Sequence, residues 1–404
     1  MGTSIGANIK RLREQRGFSQ ARLAHEVCKA AGVIGDPVGR QEISRWETGK
    51  RTPREWLPFL AAALSVPVEV LRAPQKPAEP PLPTLADFLP EEDPLSLLEA
   101  RTGRIGMSTV DDLQQRVHGL RLADDVIAGG DLIRPALRDL RRAVKLYRES
   151  THTSEVGRQL LSQIGELAQI AGWIASDAGQ HEEAERIYRL GISAARQAED
   201  HTLAGNLAGS LAYQMSNTGR ETEGLILAQA AFNDARAEAP PKARALYLDR
   251  VAWAHTKSGG TENAQQAMRA LGEAGQALSE DSEGTESPAW LYWVDAGELQ
   301  VMESRVYTEL HRPLRAVPLL REVLSGYDAT HTREMALYLS WLAVALADAN
   351  EPEEAAVVAG RVISLGSDTP SERVAERVRV ILGRLHEFAD VPEVAAILAE
   401  HPAA

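Results

Sequence analysis

Four polar side chains on one face of a short helical stretch, Arg40, Gln41, Ser44 and Arg45, are the residues best equipped for recognition chemistry in this 404-residue chain. They lie within GRQEISRWETGKRTP, Gly39 to Pro53, where Ile43 and Trp46, three residues apart, mark the opposite, apolar face. Arg and Gln carry paired hydrogen-bonding groups that match the major-groove edges of guanine and adenine, so the polar face is suited to reading bases. Gly49 supplies a helix stop, and Lys50, Arg51 and Arg54 follow it as cations placed for a phosphate backbone. A solvated polar face on a small helix would look the same in isolation. The surrounding chain decides between the two.

Charge is the first such context. Residues 1–72 hold 12 Lys and Arg against 7 Asp and Glu, a balance of +5, so the remainder of a chain with net charge −13 carries −18. An acidic protein with one basic end brings that end alone to a polyanion. The length implies two or more folded units, and 44% hydrophobic residues suffice for a core. A single cysteine, Cys28, excludes a disulfide framework and any cysteine-based metal site. No apolar run approaches a membrane span and the N-terminus has no signal-peptide core, so a soluble, cytoplasmic protein with no membrane partner is expected.

The head divides into five short helices. Ile5, Ile9 and Leu12 form a stripe that Gly17 ends; Ser19 caps a second helix carrying Leu23, Ala24 and Val27; the reading helix follows; Trp56, Phe59, Leu60, Ala63 and Leu64 make another; Val66 to Leu71 closes the unit. RLREQRGFSQARLA followed by EISRWETGKRTP resembles the phage-repressor (Cro-like, Xre) helix-turn-helix family over residues 5–72. The resemblance implies double-stranded DNA as partner, base reading by Arg40, Gln41, Ser44 and Arg45, and backbone contacts by Gln20, Lys50, Arg51 and Arg54. It also implies an internal ion pair between Arg13 and Glu47, with Leu23 and Trp46 in the core. The chain departs from the family in one place: CKAAGVIGDPVG, residues 28–39, lengthens the connection between helices two and three, extending helix two and adding a loop at Gly35-Asp36-Pro37.

Residues 73–94 contain seven prolines and read as a semi-rigid spacer between a 1–72 head and a 95–404 body. The body reads as helix throughout, and it repeats. Gly179, Gly219 and Gly259 stand 40 residues apart, each followed by small or apolar residues five, nine and twelve positions on; Asn350 begins the same spacing, and His311 begins a displaced copy. Residues 95–150 form an atypical leading helix pair and 371–402 a closing one. The pattern resembles the tetratricopeptide (TPR) family in a degenerate form, which implies an all-α chain: a five-helix head and an α-solenoid of helical hairpins. Carrying that family's groove positions onto this chain gives Trp173, Tyr213 and Trp253, each six before its glycine, with Ser176, Ser216 and Thr256 three before it. Asp177, Asn217 and Lys257 stand two before, and Asn206 and Asp249 nearer the starts of their helices. Aromatic platforms beside amides and hydroxyls suit an extended peptide, whereas the same aromatics could simply pack between repeats.

Nothing in the sequence speaks for catalysis. There is no phosphate-binding glycine loop, zinc spacing or nucleophile elbow, and His181-Glu182-Glu183 lacks the second histidine that a metal helix needs. A non-enzyme without metal or cofactor is expected. The combination resembles helix-turn-helix regulators of actinomycetes and the peptide-sensing quorum regulators of Gram-positive bacteria. It implies a sequence-specific transcriptional regulator, dimeric through its body, with a signalling peptide or companion protein as ligand. A DNA-tethered interaction scaffold, or an antitoxin-like component, is the alternative.

Overall fold

A computed structural model describes residues 4–33, 35, 37–72, 103–126, 129–282, 285–327, 332–368 and 371–401. The chain divides into two compact units, Met1–Leu82 and Pro83–Ala404. The proline-rich spacer expected at 73–94 lies outside the described residues, as do Ile34 and Asp36 of the loop between the second and third helices. Among the described residues all regular structure is helical, and a lone bridge between Arg104 and Thr151 is the sole β pairing.

The head folds as α1 (Ser4–Gln15), α2 (Gln20–Ala30), α3 (Arg40–Glu47), α4 (Leu57–Ala63) and α5 (Val68–Arg72). Gly17 and Gly49 take the positive φ values, 65° and 70°, that end α1 and α3. Ser19 caps α2, its hydroxyl accepting from the Arg22 amide at 3.1 Å. Ile9, Leu23, Val27, Ile43, Trp46, Leu60 and Leu71 form one buried core, and Trp56 packs a tilted ring on Trp46 at 6.4 Å. The long connection is tied down at its end: Val38 is buried, and its carbonyl accepts from the Cys28 thiol at 3.7 Å.

The body begins with α6 (Met107–Val126) and α7 (Gly129–Glu149), then continues as antiparallel hairpins. These are α8 (Ser154–Asp177) with α9 (His181–Gln197), α10 (His201–Asn217) with α11 (Glu221–Ala235), and α12 (Pro241–Ser258) with α13 (Thr261–Ser279). There follow α14 (Ala296–Glu309) with α15 (Pro313–Gly326), α16 (Thr332–Asp348) with α17 (Pro352–Asp368), and α18 (Glu372–Leu385) with α19 (Pro392–Glu400). The five repeat anchors all sit in the turn inside a hairpin, and all have positive φ: Gly179, Gly219, Gly259, His311 and Asn350 at 76°, 81°, 68°, 51° and 61°. The repeat is therefore a backbone repeat. A left-handed residue reverses the chain at each of these five hairpins, and Gly is preferred there because it has no Cβ to clash. Small residues allow close helix packing: a Cβ on Gly191 would meet Ala168 and Leu207 at 2.7 Å.

The leading helix of each hairpin packs against the next in series, and the series curves back on itself. Arg333 of α16 donates to the Asp124 backbone carbonyl of α6 at 2.7 Å and lies 3.5 Å from Asp177 of α8. Arg373 of α18 reaches the same Asp177 at 3.6 Å. The first and last parts of the body thus meet through buried charge, and α8, α10, α12, α14, α16 and α18 surround a common interior.

Candidate functional site

In the head, α3 presents the polar face expected of it. Ile43 and Trp46 are buried, Arg40, Gln41 and Arg45 are exposed, and Ser44 is half-buried. The last residue of α3 fixes its placement. Glu47 accepts from Arg13 Nε of α1 at 2.5 Å and from Gln20 Nε2 of α2 at 2.7 Å, while Arg13 also donates to the Phe18 carbonyl at 2.8 Å. One carboxylate, nearly shielded from water, thereby joins three helices and holds the α3 axis despite the lengthened connection. Gln20 has its amide nitrogen engaged inside the head, so its side chain sets the position of α3 rather than offering that donor outward. Arg45 and Arg51 both reach Glu42, at 2.6 and 3.2 Å, and both stay more than half exposed. Such exposed pairs contribute little and leave both cations free to exchange Glu42 for a nucleic-acid partner. Lys50 and Arg54 are exposed beside them.

In the body, the interior holds a cavity of about 390 Å3 bounded by α8, α10, α12, α14, α16 and α18. Trp173, Tyr213 and Trp253, the recurring aromatics, form a continuous row, with centroids 5.9 and 6.0 Å apart, and Trp341 of α16 continues it edge-on at 5.7 Å from Trp253. Tyr213, Trp253 and Trp341 line the cavity. The row is sandwiched by guanidinium groups. Arg250 lies 4.8 Å from the Tyr213 ring, Arg305 lies 4.6 Å from Trp253 and 5.4 Å from Trp341, Arg373 lies 5.3 Å from Trp173, and Arg377 lies 3.5 Å from Trp341. Arg305 and Arg373 both donate to the Tyr213 hydroxyl, at 2.6 and 3.2 Å. Burial pushes the Tyr213 phenol up, but Arg305, Arg373 and Arg250 outweigh it and bring its pKa down to about 8. Burial likewise lowers Arg377, to about 10.

Residues 4–74 match the family model described as a helix-turn-helix domain. The head is a helix-turn-helix domain. No curated protein matches the chain. Among solved structures, PlcR of Bacillus thuringiensis, crystallised with the peptide PapR7 and DNA, is similar at 12% identity, covering 85% of this chain and 96% of that one with a TM-score of 0.34.

In the helix-turn-helix head the expected reading and phosphate residues, Gln20 apart, fall on one stretch running from α3 into the turn after it, exposed except at the half-buried Ser44. The body is more mixed. Asp177, Asn217 and Lys257 line the cavity, but each is engaged: Asp177 with Arg333 and Arg373, Asn217 accepting from Trp253 Nε1 at 3.2 Å, and Lys257 with Glu309 at 3.2 Å. Asn206 and Asp249 are buried and do not line the cavity, and Asp249 pairs with its neighbour Arg250 at 3.2 Å. Ser176 lines the cavity, whereas the Ser216 and Thr256 hydroxyls turn back onto the Ala212 and Ala252 carbonyls. His181 stands exposed at the cavity edge.

The arginines are what a reading by repeat position overlooked. Arg305 stands six before His311, in the aromatic position of the displaced repeat, and Arg250 and Trp341 stand nine before Gly259 and Asn350. Extending the same spacing to the displaced repeat would have found Arg305. No repeat spacing leads to Arg373 and Arg377, which belong to the closing pair and reach the row because the body curves back.

Proposed function

We propose that the chain is a sequence-specific transcriptional regulator whose helix-turn-helix head reads operator DNA through α3 and whose body senses a ligand in its central cavity. The observation that carries this reading is the pairing of an exposed Arg40–Gln41–Arg45 face with the Glu47 anchor that holds its helix against α1 and α2. Side chains suited to base edges discriminate sequence only when the helix bearing them is held in fixed register. The +5 charge of the head against −18 for the rest directs a polyanion to the head alone. One head spans a short half-site, so tight operator binding uses two copies of the chain, joined through the body. A ligand in the cavity alters DNA binding to the extent that it prefers one arrangement of the repeats over another.

The test is selection of random duplex DNA by the full chain, beside a variant with alanine at Arg40, Gln41 and Arg45. A two-part motif from the wild type that disappears in the variant is the expected result, and its spacing measures the separation of the heads. Enrichment of the same motif by both proteins would remove α3 from base reading.

A further inference from the structure

Most of the charge lining the cavity is already matched. Asp177 is taken by Arg333 and Arg373, Glu309 by Lys257 at 3.2 Å, and Glu372 and Glu376 by Arg379 at 3.0 and 2.5 Å. Two lining cations remain. Arg305 and Arg377 have no carboxylate within ion-pair distance among the described residues. Each also has a buried guanidinium nitrogen without a hydrogen-bond acceptor, Nε of Arg305 and Nη2 of Arg377. Arg305 is only 7% exposed, and both groups lie over the same ring, Trp341, at 5.4 and 3.5 Å.

Burying a cation without a counter-charge is costly, and an aromatic face offsets only part of that cost. Stacking uses the flat face of a guanidinium and leaves its in-plane N–H donors, whose geometry matches the paired oxygens of a carboxylate or phosphate. Tyr213 and Ser340, the side chains that Arg305 and Arg377 do reach, are hydroxyls, and that of Tyr213 is neutral below about pH 8. The arrangement therefore has two cations and an aromatic wall with no anion in direct contact, since Asp249 and Glu298 act on Arg305, and Glu309 on Arg377, from beyond ion-pair distance.

We propose that the cavity is an anion site, whose ligand places a carboxylate or phosphate against Arg305 and Arg377 and an apolar or planar remainder against Trp253 and Trp341. This rests on the reading of the cavity as the sensor site and adds the chemical class of what is sensed. At about 390 Å3 the space is that of a small-molecule pocket, so the occupant is a small organic anion or the end of a peptide, and not a folded domain. Both sources present the same group to the arginines.

Binding to the full chain is measured by tryptophan fluorescence with three pairs of probes. These are indole-3-acetate with indole-3-acetamide, phenyl phosphate with phenol, and a mixed tetrapeptide library with a free C-terminal carboxylate with the same library amidated. The anionic member of at least one pair should bind at least about tenfold tighter than its neutral partner, and which pair responds identifies the source of the anion. Arg305→Gln and Arg377→Gln should each abolish that preference without weakening the neutral member, while Arg321→Gln, at a residue that pairs with Glu354 and does not line the cavity, should keep it. In the wild type, which needs no substitution to fold, the bound anion should raise the pH at which tyrosinate absorbance at 295 nm develops for Tyr213. Equal binding within every pair, a preference that survives Arg377→Gln, or no binding by any probe would overturn the anion site. A preference that is present but leaves operator affinity unchanged would keep the anion site and discard the sensor reading.

Discussion

At the scale of single residues, the proposed function divides the exposed side chains of the head into those that read bases and those that hold the backbone. Arg45 is on the exposed face of α3, and its bond to Glu42 is an i,i+3 pair of little energetic weight. Arg45→Ala should relax preference at one or two base pairs, each by roughly 1–3 kcal/mol, when measured by competition among single-base operator variants. A uniform loss on every sequence would place Arg45 on the backbone instead. Lys50, exposed after α3, is proposed for the sequence-independent part. Lys50→Ala should weaken binding to all duplexes alike and reduce the slope of log affinity against log salt by about one unit. An unaltered slope would take Lys50 out of the phosphate set.

At the scale of elements, the hairpin turn is the repeating device, and two glycines of one hairpin serve it differently. Gly219 has a φ of 81° and open space where a Cβ would be, so Gly219→Ala should cost about 1–2 kcal/mol from backbone strain alone. Gly224 has ordinary helical backbone, but a Cβ there would run into the Ser216 hydroxyl and the Ala212 carbonyl at 2.8 Å, so Gly224→Ala should cost about 1–3 kcal/mol from overpacking. Asparagine tells the two apart in thermal unfolding, because it tolerates the left-handed region: Gly219→Asn should keep most of the stability and Gly224→Asn should lose more than the alanine variant. Asn350, the anchor of the fifth hairpin with a φ of 61°, already shows the first substitution tolerated. These turns, the five head helices and the Ser19 cap were legible in the sequence because each depends on residues close in the chain. The side chains facing the cavity were legible only where a repeat carried them.

At the scale of the whole body, the interactions that matter are between elements far apart in sequence. Arg333 sits between Asp124 and Asp177, all three buried, and joins α16 to α6 and α8. Arg333→Met leaves the buried Asp124 carboxylate uncompensated and Asp177 with Arg373 alone, so chemical denaturation should show the body destabilised by about 3–5 kcal/mol. The helix-turn-helix head, with its separate core, should keep its own transition. Tyr213 reports on the same interior. Its folded pKa of about 8 lies below the ordinary 10, so ionisation is favoured in the folded state and adds stability that grows as pH rises from 8 to 10 and is absent below 8. Compared with Tyr213→Phe, the wild type should gain stability over that window. Parallel curves would show that Arg250, Arg305 and Arg373 do not act on the phenol.

The sequence by itself determined the helices, the basic head on an acidic body, the polar face of α3 and the 40-residue hairpin repeat, and the family resemblance implied the Arg13–Glu47 pair. All but that pair follow from composition, periodicity or turn chemistry. Only the tertiary structure decided what surrounds the aromatic row. Asp177, Asn217 and Lys257 proved to be engaged with neighbouring side chains, and the cavity took its character from Arg305 and Arg377. The physical reason is the curvature of the body. Small rotations between successive hairpins accumulate until α18 meets α8 and Asp177, 196 positions before Arg373 in the chain, lies within ion-pair distance of it.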